Sequence, residues 1–243
     1  MTLLSVRKLG KRFGGLQAVS DVSFDVERGQ IVGVMGANGA GKTTLFSLIA
    51  GNNRPTSGEI VFDGQPLGGL RPDQVCRLGV ARTFQIVRPF AGLTVMENLR
   101  TAAFFGRAQH RSVARADADS HAILRAVGLA EAAQQPASTL TLSGQKRLEV
   151  ARAIATGAEL LMLDEVMAGL TPTEVLQMLE TLRHIHQERG LTILIIEHVM
   201  RALMDLSDQI VVLDRGQLIA QGTPQEIGAN SKVLSVYFGE SHA

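Results

Sequence analysis

The sequence predicts an α/β fold with a mostly parallel sheet that is covered by helices on both faces. Two observations indicate this fold: short, uniformly apolar runs of strand length, and a helical segment between two of them. A third observation is a glycine-rich segment between an apolar run and a helical run. The apolar runs are residues 31–35, 160–163, 192–196 and 210–213, and the helical segment is 173–188.

Composition favours one large globular domain over residues 1–243. Of the 243 residues, 45% are hydrophobic and 19% are charged, so the chain can bury a substantial core. The net charge is +1 and no dense Lys/Arg run occurs, which argues against nucleic-acid binding. Cys76 is the single cysteine, so the chain forms neither an internal disulfide nor a cysteine-based zinc cluster.

No apolar run approaches the length of about 20 residues that is needed to cross a bilayer. The apolar N-terminal stretch is interrupted by Arg7 and Lys8, so it does not have the pattern of a signal peptide. If the protein serves a membrane process, we expect it to dock on a separate membrane subunit.

The predicted elements change in character along the chain. In the first part, runs with β-branched residues alternate with glycines, whereas alanine and leucine dominate residues 89–156. We interpret 89–156 as a helical subdomain inserted into an α/β core formed by residues 1–88 and 157–243. The strands predicted in the first part are 3–6, 19–26, 31–35, 58–63 and 80–84, and the helices predicted up to residue 156 are 42–50, 95–105, 114–127 and 145–156.

Residues 36–43 match the phosphate-binding pattern G-x-x-x-x-G-K-[ST] in full. The glycines allow the backbone to curl so that its N–H groups face phosphate oxygens, and the following helix adds its positive end. Lys42 can reach the β- and γ-phosphates, and the Thr43 hydroxyl can take a Mg²⁺ position. An incidental glycine-rich turn is a poor alternative, because the motif lies between a predicted strand and a predicted helix. The predicted ATP-binding residues of this segment are Gly36, Ala37, Asn38, Gly39, Ala40, Gly41, Lys42, Thr43 and Thr44.

A second chemical signal is the acid pair Asp164–Glu165, which follows the apolar run 160–163. The carboxyl ends of parallel strands form the ligand-binding edge of such a sheet, so the pair is expected near the phosphate loop. Asp164 would hold Mg²⁺ through water, and Glu165 would polarise the attacking water as a general base. The alternative is a solvated pair of acids at the end of a loop.

Together these segments resemble the ATP-binding subunits of ABC transporters, in order and spacing, over nearly the whole chain. The resemblance implies an α/β P-loop NTPase core with an antiparallel β subdomain at the N-terminus. Phe13 lies where the family has an aromatic residue that stacks on adenine; the alternative is an edge-strand aromatic residue in the core. Gln85 matches the glutamine that contacts Mg²⁺ and the attacking water, and His198 matches the histidine that hydrogen-bonds the γ-phosphate.

The segment 140–147 departs from the usual family signature Leu-Ser-Gly-Gly-Gln. Counting back from Ala151–Arg152 places Thr141 on the serine and Ser143 on the second glycine, whereas a direct match to 142–145 shifts this register by one or two residues. In either register the N-terminus of the following helix can receive phosphate. The residues implied to bind the nucleotide here are Thr141, Ser143, Gly144 and Gln145. A second departure, Ala168 in the loop 166–171, removes a serine hydroxyl.

Both departures resemble the branch of the family that serves uptake of branched-chain and other hydrophobic amino acids, amides or urea. The resemblance implies ATP and Mg²⁺ as cofactors and ATP hydrolysis coupled to transport. It implies a head-to-tail dimer with a second cassette, identical or related, on integral membrane permease subunits at the cytoplasmic face of the inner membrane. A periplasmic or extracellular solute-binding protein would act through the permeases.

Two other functions compete with transport. A soluble P-loop kinase would need an acceptor pocket and lid arginines, and would usually lack the combination of Gln85, the signature and His198. A non-transport ABC ATPase that acts on ribosomes or DNA would normally have two cassettes in one chain or long coiled-coil insertions. Neither feature is present in this sequence.

Overall fold

The computed structural model describes residues 1–84, 87–107 and 112–238, apart from the side chains of residues 237 and 238. In chain order the strands and helices are β1 (Thr2–Phe13), β2 (Leu16–Glu27), β3 (Ile31–Met35), α1 (Lys42–Ile49), β4 (Ser57–Phe62), β5 (Gln65–Pro66), α2 (Pro72–Leu78), β6 (Val80–Arg82), α3 (Val95–Phe105), α4 (Val113–Ala126), α5 (Leu142–Ala155), β7 (Leu160–Asp164), α6 (Pro172–Arg189), β8 (Thr192–Ile196), α7 (Met200–Leu206), β9 (Gln209–Asp214), β10 (Gln217–Gly222), α8 (Pro224–Gly228) and α9 (Ser231–Phe238). Two short 3₁₀ turns, Ala130–Ala132 and Ala137–Thr139, precede α5.

The fold class is α/β, as predicted, with an antiparallel sheet near the N-terminus and a second sheet that is mostly parallel. The chain forms two compact units, Met1–Pro72 with Leu194–Ala243, and Asp73–Ile193. The division into a core and a helical subdomain at 89–156 stays a prediction.

The first unit contains the antiparallel sheet, in the order β2-β1-β4-β5. It also contains β3, which pairs in parallel with β9, and β10, which pairs antiparallel with β9. All five residues of β3 are buried, as expected for a strand covered on both faces. The parallel β3–β9 pair and the β9–β10 hairpin together support the loop that follows β3.

In the second unit, β6 and β7 pair in parallel, with Val80 opposite Leu160 and Arg82 opposite Met162. All five residues of β7 are buried. Helices α3, α4 and α5 pack on one another in the same unit. Because β6 and β7 are parallel, the residues that follow Arg82 and Met162 leave the sheet at the same edge.

Several predicted bounds are confirmed to the residue: 31–35, 95–105 and 192–196. The start of the helix predicted at 145–156 is wrong, because α5 begins three residues earlier, at Leu142. Thr141 caps this helix, and its hydroxyl accepts a hydrogen bond from the Gly144 N–H at 3.3 Å. The side-chain cap therefore lets the helix include Ser143 and Gly144, which have low helix propensity.

Within residues 1–84, 87–107 and 112–238, no helix is long and apolar enough to cross a membrane.

Candidate functional site

The phosphate-binding segment connects β3 to α1 and has a sharply curled backbone. The Ala40 N–H donates to the Ala37 carbonyl at 3.1 Å, and Gly41 is the N-cap of α1 with a φ of 104°. Two of its glycines also lie where no side chain fits. A Cβ on Gly41 would lie 2.6 Å from the Ala18 carbonyl oxygen, and a Cβ on Gly36 would lie 2.5 Å from that of Leu213. Gly36 and Gly41 are therefore required both by backbone conformation and by close packing.

Lys42 is curled back over this segment. Its ammonium donates to the Gly36 carbonyl at 2.6 Å and to the Ala37 carbonyl at 3.0 Å, and the residue is only 6% exposed. The first helical hydrogen bond of α1 runs from the Leu45 N–H to the Gly41 carbonyl at 2.8 Å. The N–H groups in the first turn of an α-helix have no partner within the helix, so a terminus of this kind can present N–H groups to an anion. The segment thus has the donor set that a phosphate chain requires.

The turn between β9 and β10 supports the phosphate loop from behind. The Gly216 N–H donates to the Ala40 carbonyl at 2.9 Å, and the Gly216 carbonyl accepts from the Ser20 N–H at 2.7 Å. Neither β10 nor this turn was predicted from the sequence. The signal was present in Asp214-Arg215-Gly216, a short polar turn between two apolar runs.

Phe13 ends β1 and is 44% exposed. The alternative that it is a core aromatic residue is therefore wrong. The Lys11 ammonium lies 4.8 Å from the centre of its ring, within cation–π distance. A half-exposed aromatic ring at the end of a strand has a free face on which a flat base can stack, as the family resemblance implies.

His198 also belongs to the first unit. It lies two residues past the end of β8 and is exposed, whereas the preceding Glu197 is buried. Both Lys42 and His198 therefore follow the carboxyl ends of buried strands, where ligands bind in α/β sheets.

In the second unit, Asp164 is fixed by the end of β6. Its carboxylate oxygen Oδ2 lies 2.7 Å from Nη2 of Arg82; Asp164 is buried and Arg82 is partly buried. The Asp164 N–H donates to the Thr83 hydroxyl at 3.0 Å. This rules out the alternative that the acids are a solvated pair at a loop end. Neither Arg82 nor Thr83 was predicted as a site residue; the signal that could have found them was the predicted strand 80–84, which contains both and ends just before Gln85.

Glu165 is 8% exposed and has a φ of 53°, a left-handed conformation that is uncommon outside glycine. Its carbonyl accepts hydrogen bonds from the Lys146 ammonium at 3.0 Å and from the Ala168 N–H at 3.2 Å. Backbone strain of this kind concentrates at functional positions and persists only where neighbouring groups hold it.

Gln85 lies outside the described residues, but Phe84 before it and Arg88 after it contact α5. Glu149 accepts a hydrogen bond from the Phe84 N–H at 2.8 Å, and Arg152 donates to the Arg88 carbonyl at 2.7 Å. The Arg152 guanidinium also lies 4.7 Å from the centre of the Phe90 ring.

Burial shifts the pKa of two α5 residues, the buried Glu149 and the partly buried Arg152. It raises the pKa of the Glu149 carboxyl, an effect that the Phe84 N–H and the charges of Lys146 and Arg152 oppose. Burial likewise lowers the pKa of the Arg152 guanidinium.

The signature segment forms the first turn of α5. Thr141 is exposed, whereas Ser143 is buried, and Gln145 donates its side-chain amide to the Leu140 carbonyl at 3.0 Å. Gly144 donates to the Thr141 cap. Of the two hydroxyls considered from the sequence, that of Thr141 is the one at the exposed helix terminus.

Each predicted site residue within the described ranges therefore lies in one of two groups. The first unit contains the phosphate loop, Phe13 and His198, and the second contains Asp164, Glu165 and the signature. The convergence of Lys42, Asp164, Glu165, Gln85 and His198 on one triphosphate stays a prediction.

Among the residues that the structure describes, no three His, Cys, Asp or Glu side chains gather into a metal-binding cluster. Mg²⁺ does not require such a cluster, because it usually binds through one or two carboxylates, substrate phosphates and water. The hydroxyl of Thr43 in the first unit and the carboxylate of Asp164 in the second are each an oxygen donor of the kind that Mg²⁺ prefers.

The fold and the phosphate-binding segment are those of a nucleotide-binding protein, and sequence comparison identifies the family. Residues 19–168 match the family described as ABC transporter, and the chain belongs to this family as one of its nucleotide-binding, ATP-hydrolysing cassettes. Residues 217–243 match a second description, branched-chain amino acid ATP-binding cassette transporter.

Curated relatives match over almost their full length. The high-affinity branched-chain amino acid transport ATP-binding protein LivG of Escherichia coli (strain K12) is 42% identical over 98% of both chains. The protein named BraF of Pseudomonas aeruginosa, with the same description, is 41% identical over the same shares. A probable LivG of Archaeoglobus fulgidus is 35% identical over 98% of this chain and 96% of the relative.

Solved structures confirm the fold. The ADP conformation of MJ1267, an ATP-binding cassette of an ABC transporter, superposes with a TM-score of 0.87 at 27% identity, over 99% of this chain and 100% of that chain. A nucleotide-free ATP-binding cassette from an ABC transporter gives a TM-score of 0.85 at 26% identity, over the same shares.

Proposed function

We propose that this chain hydrolyses ATP to drive uptake of branched-chain amino acids or related small polar or hydrophobic solutes. The match of residues 217–243 to the branched-chain amino acid family is the observation that supports this solute class. Full-length similarity to proteins named for branched-chain amino acid transport agrees with it. No residue of the cassette selects the solute, which is the task of the other subunits.

In the proposed site, the phosphate loop and the first turn of α1 bind the triphosphate through backbone N–H groups. Lys42 exchanges its loop carbonyls for the β- and γ-phosphate oxygens, a charge-assisted contact. Phe13 stacks on the adenine. Thr43, Asp164 and Gln85 would hold Mg²⁺, which would neutralise negative charge on the phosphates.

Glu165 is the proposed general base. Its carboxylate orients the attacking water and accepts its proton as the water attacks the γ-phosphate, while His198 hydrogen-bonds the γ-phosphate oxygens. The ion pair with Arg82 supports this arrangement because it fixes Asp164, the residue next to Glu165, in one position. The bond between the γ-phosphorus and the β–γ bridging oxygen breaks, so ADP is the leaving group and phosphate is released. Because water is the acceptor, no other acceptor molecule is needed.

The proposed assembly is a head-to-tail pair of cassettes on two membrane permease subunits at the cytoplasmic face of the inner membrane. The exposed Thr141 terminus of α5 would meet the nucleotide held by the phosphate loop of the second cassette, which is either an identical or a related chain. A solute-binding protein would deliver the solute to the permeases from the opposite side.

Replacing Glu165 with Gln tests the proposed chemistry. Glu165→Gln keeps the size of the side chain but removes its basicity, so phosphate release without any acceptor is expected to fall by about 10²- to 10⁴-fold. ATP affinity, measured by nucleotide titration, is expected to stay within about threefold of the wild type. Glu180→Gln is the matched control, because it removes an exposed carboxylate on α6 of the same unit and should leave both quantities unchanged.

Normal hydrolysis by Glu165→Gln would exclude Glu165 as the base. The solute class has a separate test, in which the chain is reconstituted with its permeases in vesicles and ATP-dependent uptake of radiolabelled leucine is measured. Uptake of an unrelated solute with no leucine uptake would contradict the proposed solute class while leaving the ATPase assignment intact.

A further inference from the structure

Helix α5 contains two buried charged residues on one face, Lys146 and Glu149. Lys146 is 2% exposed and Glu149 is 7% exposed, and they are three residues apart, so they are neighbours on the helix surface. The same face contains the buried apolar residues Val150 and Ala153. Burying charge in an apolar stripe is costly unless each group has a specific partner, so the partners indicate what the charges are for.

The partner of Lys146 is the backbone of Glu165. The ammonium donates to the Glu165 carbonyl at 3.0 Å, at a residue whose φ of 53° needs support from its surroundings. This contact holds the backbone conformation from which the Glu165 side chain departs.

The partner of Glu149 is the end of β6. Its Oε1 accepts from the Phe84 N–H at 2.8 Å. Within the described part of the chain, the other oxygen, Oε2, is buried without a hydrogen-bond partner. The two residues before Phe84 hold Asp164: Arg82 pairs with its carboxylate at 2.7 Å, and the Thr83 hydroxyl accepts from its N–H at 3.0 Å. Glu149 therefore anchors the segment that holds Asp164.

We propose that Glu149 and Lys146 are positioning residues for ATP hydrolysis, which act from α5 on the two neighbouring acids Asp164 and Glu165. Lys146 acts directly on the Glu165 backbone, and Glu149 acts through the end of β6. Neither residue touches the nucleotide in this arrangement. The inference rests on the proposed roles of Asp164 and Glu165, and it adds two residues that those roles do not include.

Substitution of Glu149 is expected to lower turnover without lowering nucleotide affinity, because other residues form the phosphate loop. Glu149→Met fills a similar volume but accepts no hydrogen bond, so kcat is expected to fall about 10- to 100-fold, as for loss of one hydrogen bond to a charged group. KM for ATP should change by less than about twofold. Glu149→Gln retains an acceptor oxygen for the Phe84 N–H and should keep kcat within about threefold of the wild type.

Hydrogen exchange of the Phe84 amide in the nucleotide-free protein gives a readout that does not depend on activity. Exchange is expected to be at least about tenfold faster in Glu149→Met than in the wild type, and unchanged in Glu149→Gln. The matched control is Glu97→Ala, which removes another carboxylate that accepts a backbone N–H in the same unit, that of Thr94 at 2.8 Å. This control should leave kcat and Phe84 exchange unchanged, and it shows what a purely structural loss does.

Wild-type kcat and exchange in Glu149→Met would overturn the proposal, and so would a Gln variant as impaired as the Met variant. If Glu149→Met does not fold, Lys146→Met measures the same effect through Glu165, and unchanged kcat there would equally overturn it. Glu165→Gln is assayed in parallel. If Glu165→Gln hydrolyses ATP, the proposed base is wrong. If Glu165→Gln loses turnover while the Glu149 variants turn over normally, only the positioning role of Glu149 is overturned.

Discussion

At the scale of single residues, the site uses backbone conformations that most side chains do not adopt. Gly41 caps α1 at a φ of 104°, and Glu165 has a φ of 53° although it is not a glycine. At Gly41 a side chain is excluded by lack of space as well as by the backbone angle, because the Ala18 carbonyl oxygen lies 2.6 Å from the position of a Cβ. For Glu165, the hydrogen bonds to its carbonyl offset the unfavourable angle.

A pair of glycine substitutions separates the cost of left-handed backbone from the cost of a close contact. Gly39 has a φ of 82° with nothing near its Cβ position, whereas Gly41 adds a close contact of 2.6 Å to left-handed backbone. Gly39→Ala is therefore expected to lower the free energy of unfolding by about 1–2 kcal/mol, and Gly41→Ala by more, about 3 kcal/mol or above. Urea unfolding without nucleotide measures both. Equal effects would show that the Ala18 carbonyl moves aside without cost.

At the scale of elements, α5 combines functions that the sequence lists separately. Its first turn is the signature, capped by Thr141, and its second and third turns present Lys146 and Glu149 to the backbone near the acid pair. Further along the same helix, Arg152 donates to the Arg88 carbonyl and its guanidinium lies near the Phe90 ring. A single rigid helix therefore connects the signature to the residues around Asp164 and Glu165.

The raised pKa of Glu149 gives α5 a defined pH signature. The Glu149 carboxyl binds its proton more tightly in the folded protein than in the unfolded chain. Its contribution to the free energy of unfolding is therefore fully present below the unfolded pKa and is lost as the pH rises through the folded pKa. Glu149→Gln has no such titration. Its free energy of unfolding relative to the wild type is therefore expected to rise with pH above about 4.5 and then to level off, in urea unfolding at pH 5 to 8.

Glu97 provides a control of opposite sign. Hydrogen bonds from Thr94 lower its pKa, so its contribution is present above the unfolded pKa and is lost as the pH falls through the folded pKa. Glu97→Gln should thus be less stable than the wild type at neutral pH, with the difference shrinking in acid. A flat difference curve for Glu149→Gln would contradict the assigned direction of the Glu149 shift.

At the scale of the whole molecule, the residues of the proposed reaction are divided between two compact units. The phosphate loop and His198 lie in one, and the acid pair and the signature lie in the other. In the proposed head-to-tail pair, ATP makes its γ-phosphate contacts only in the closed arrangement, so ATP binding would favour closure of the pair.

Dimer formation tests this proposal at the same scale. Glu165→Gln with ATP and Mg²⁺ is expected to elute at about twice the chain mass of 26.0 kDa in size-exclusion chromatography with light scattering, and as a monomer with ADP. The reason is that unhydrolysed ATP keeps the γ-phosphate contacts that only the closed pair makes. A variant that binds ATP but stays at 26.0 kDa at high concentration would contradict self-pairing.

Much of the fold could be predicted because its central strands are buried on both faces. The runs that became β3 and β8 are apolar throughout, and α3 has a capping box at Thr94 and Glu97, so their bounds were correct to the residue. The short helices α2, α7 and α8 were not predicted. Helices of five to seven residues complete too few turns to show a period, and most of their stability comes from packing.

The sequence by itself determined the family, the phosphate-binding segment and the acid pair, because these depend on residue types at fixed spacing along the chain. Only the tertiary structure decided that Arg82 and Thr83 hold Asp164, that Lys146 holds the Glu165 carbonyl, and that Glu149 holds the Phe84 amide. These partners are 19 to 82 residues apart in the chain. No local pattern encodes such contacts, since they form only when β6, β7 and α5 pack together and the buried charges must find partners.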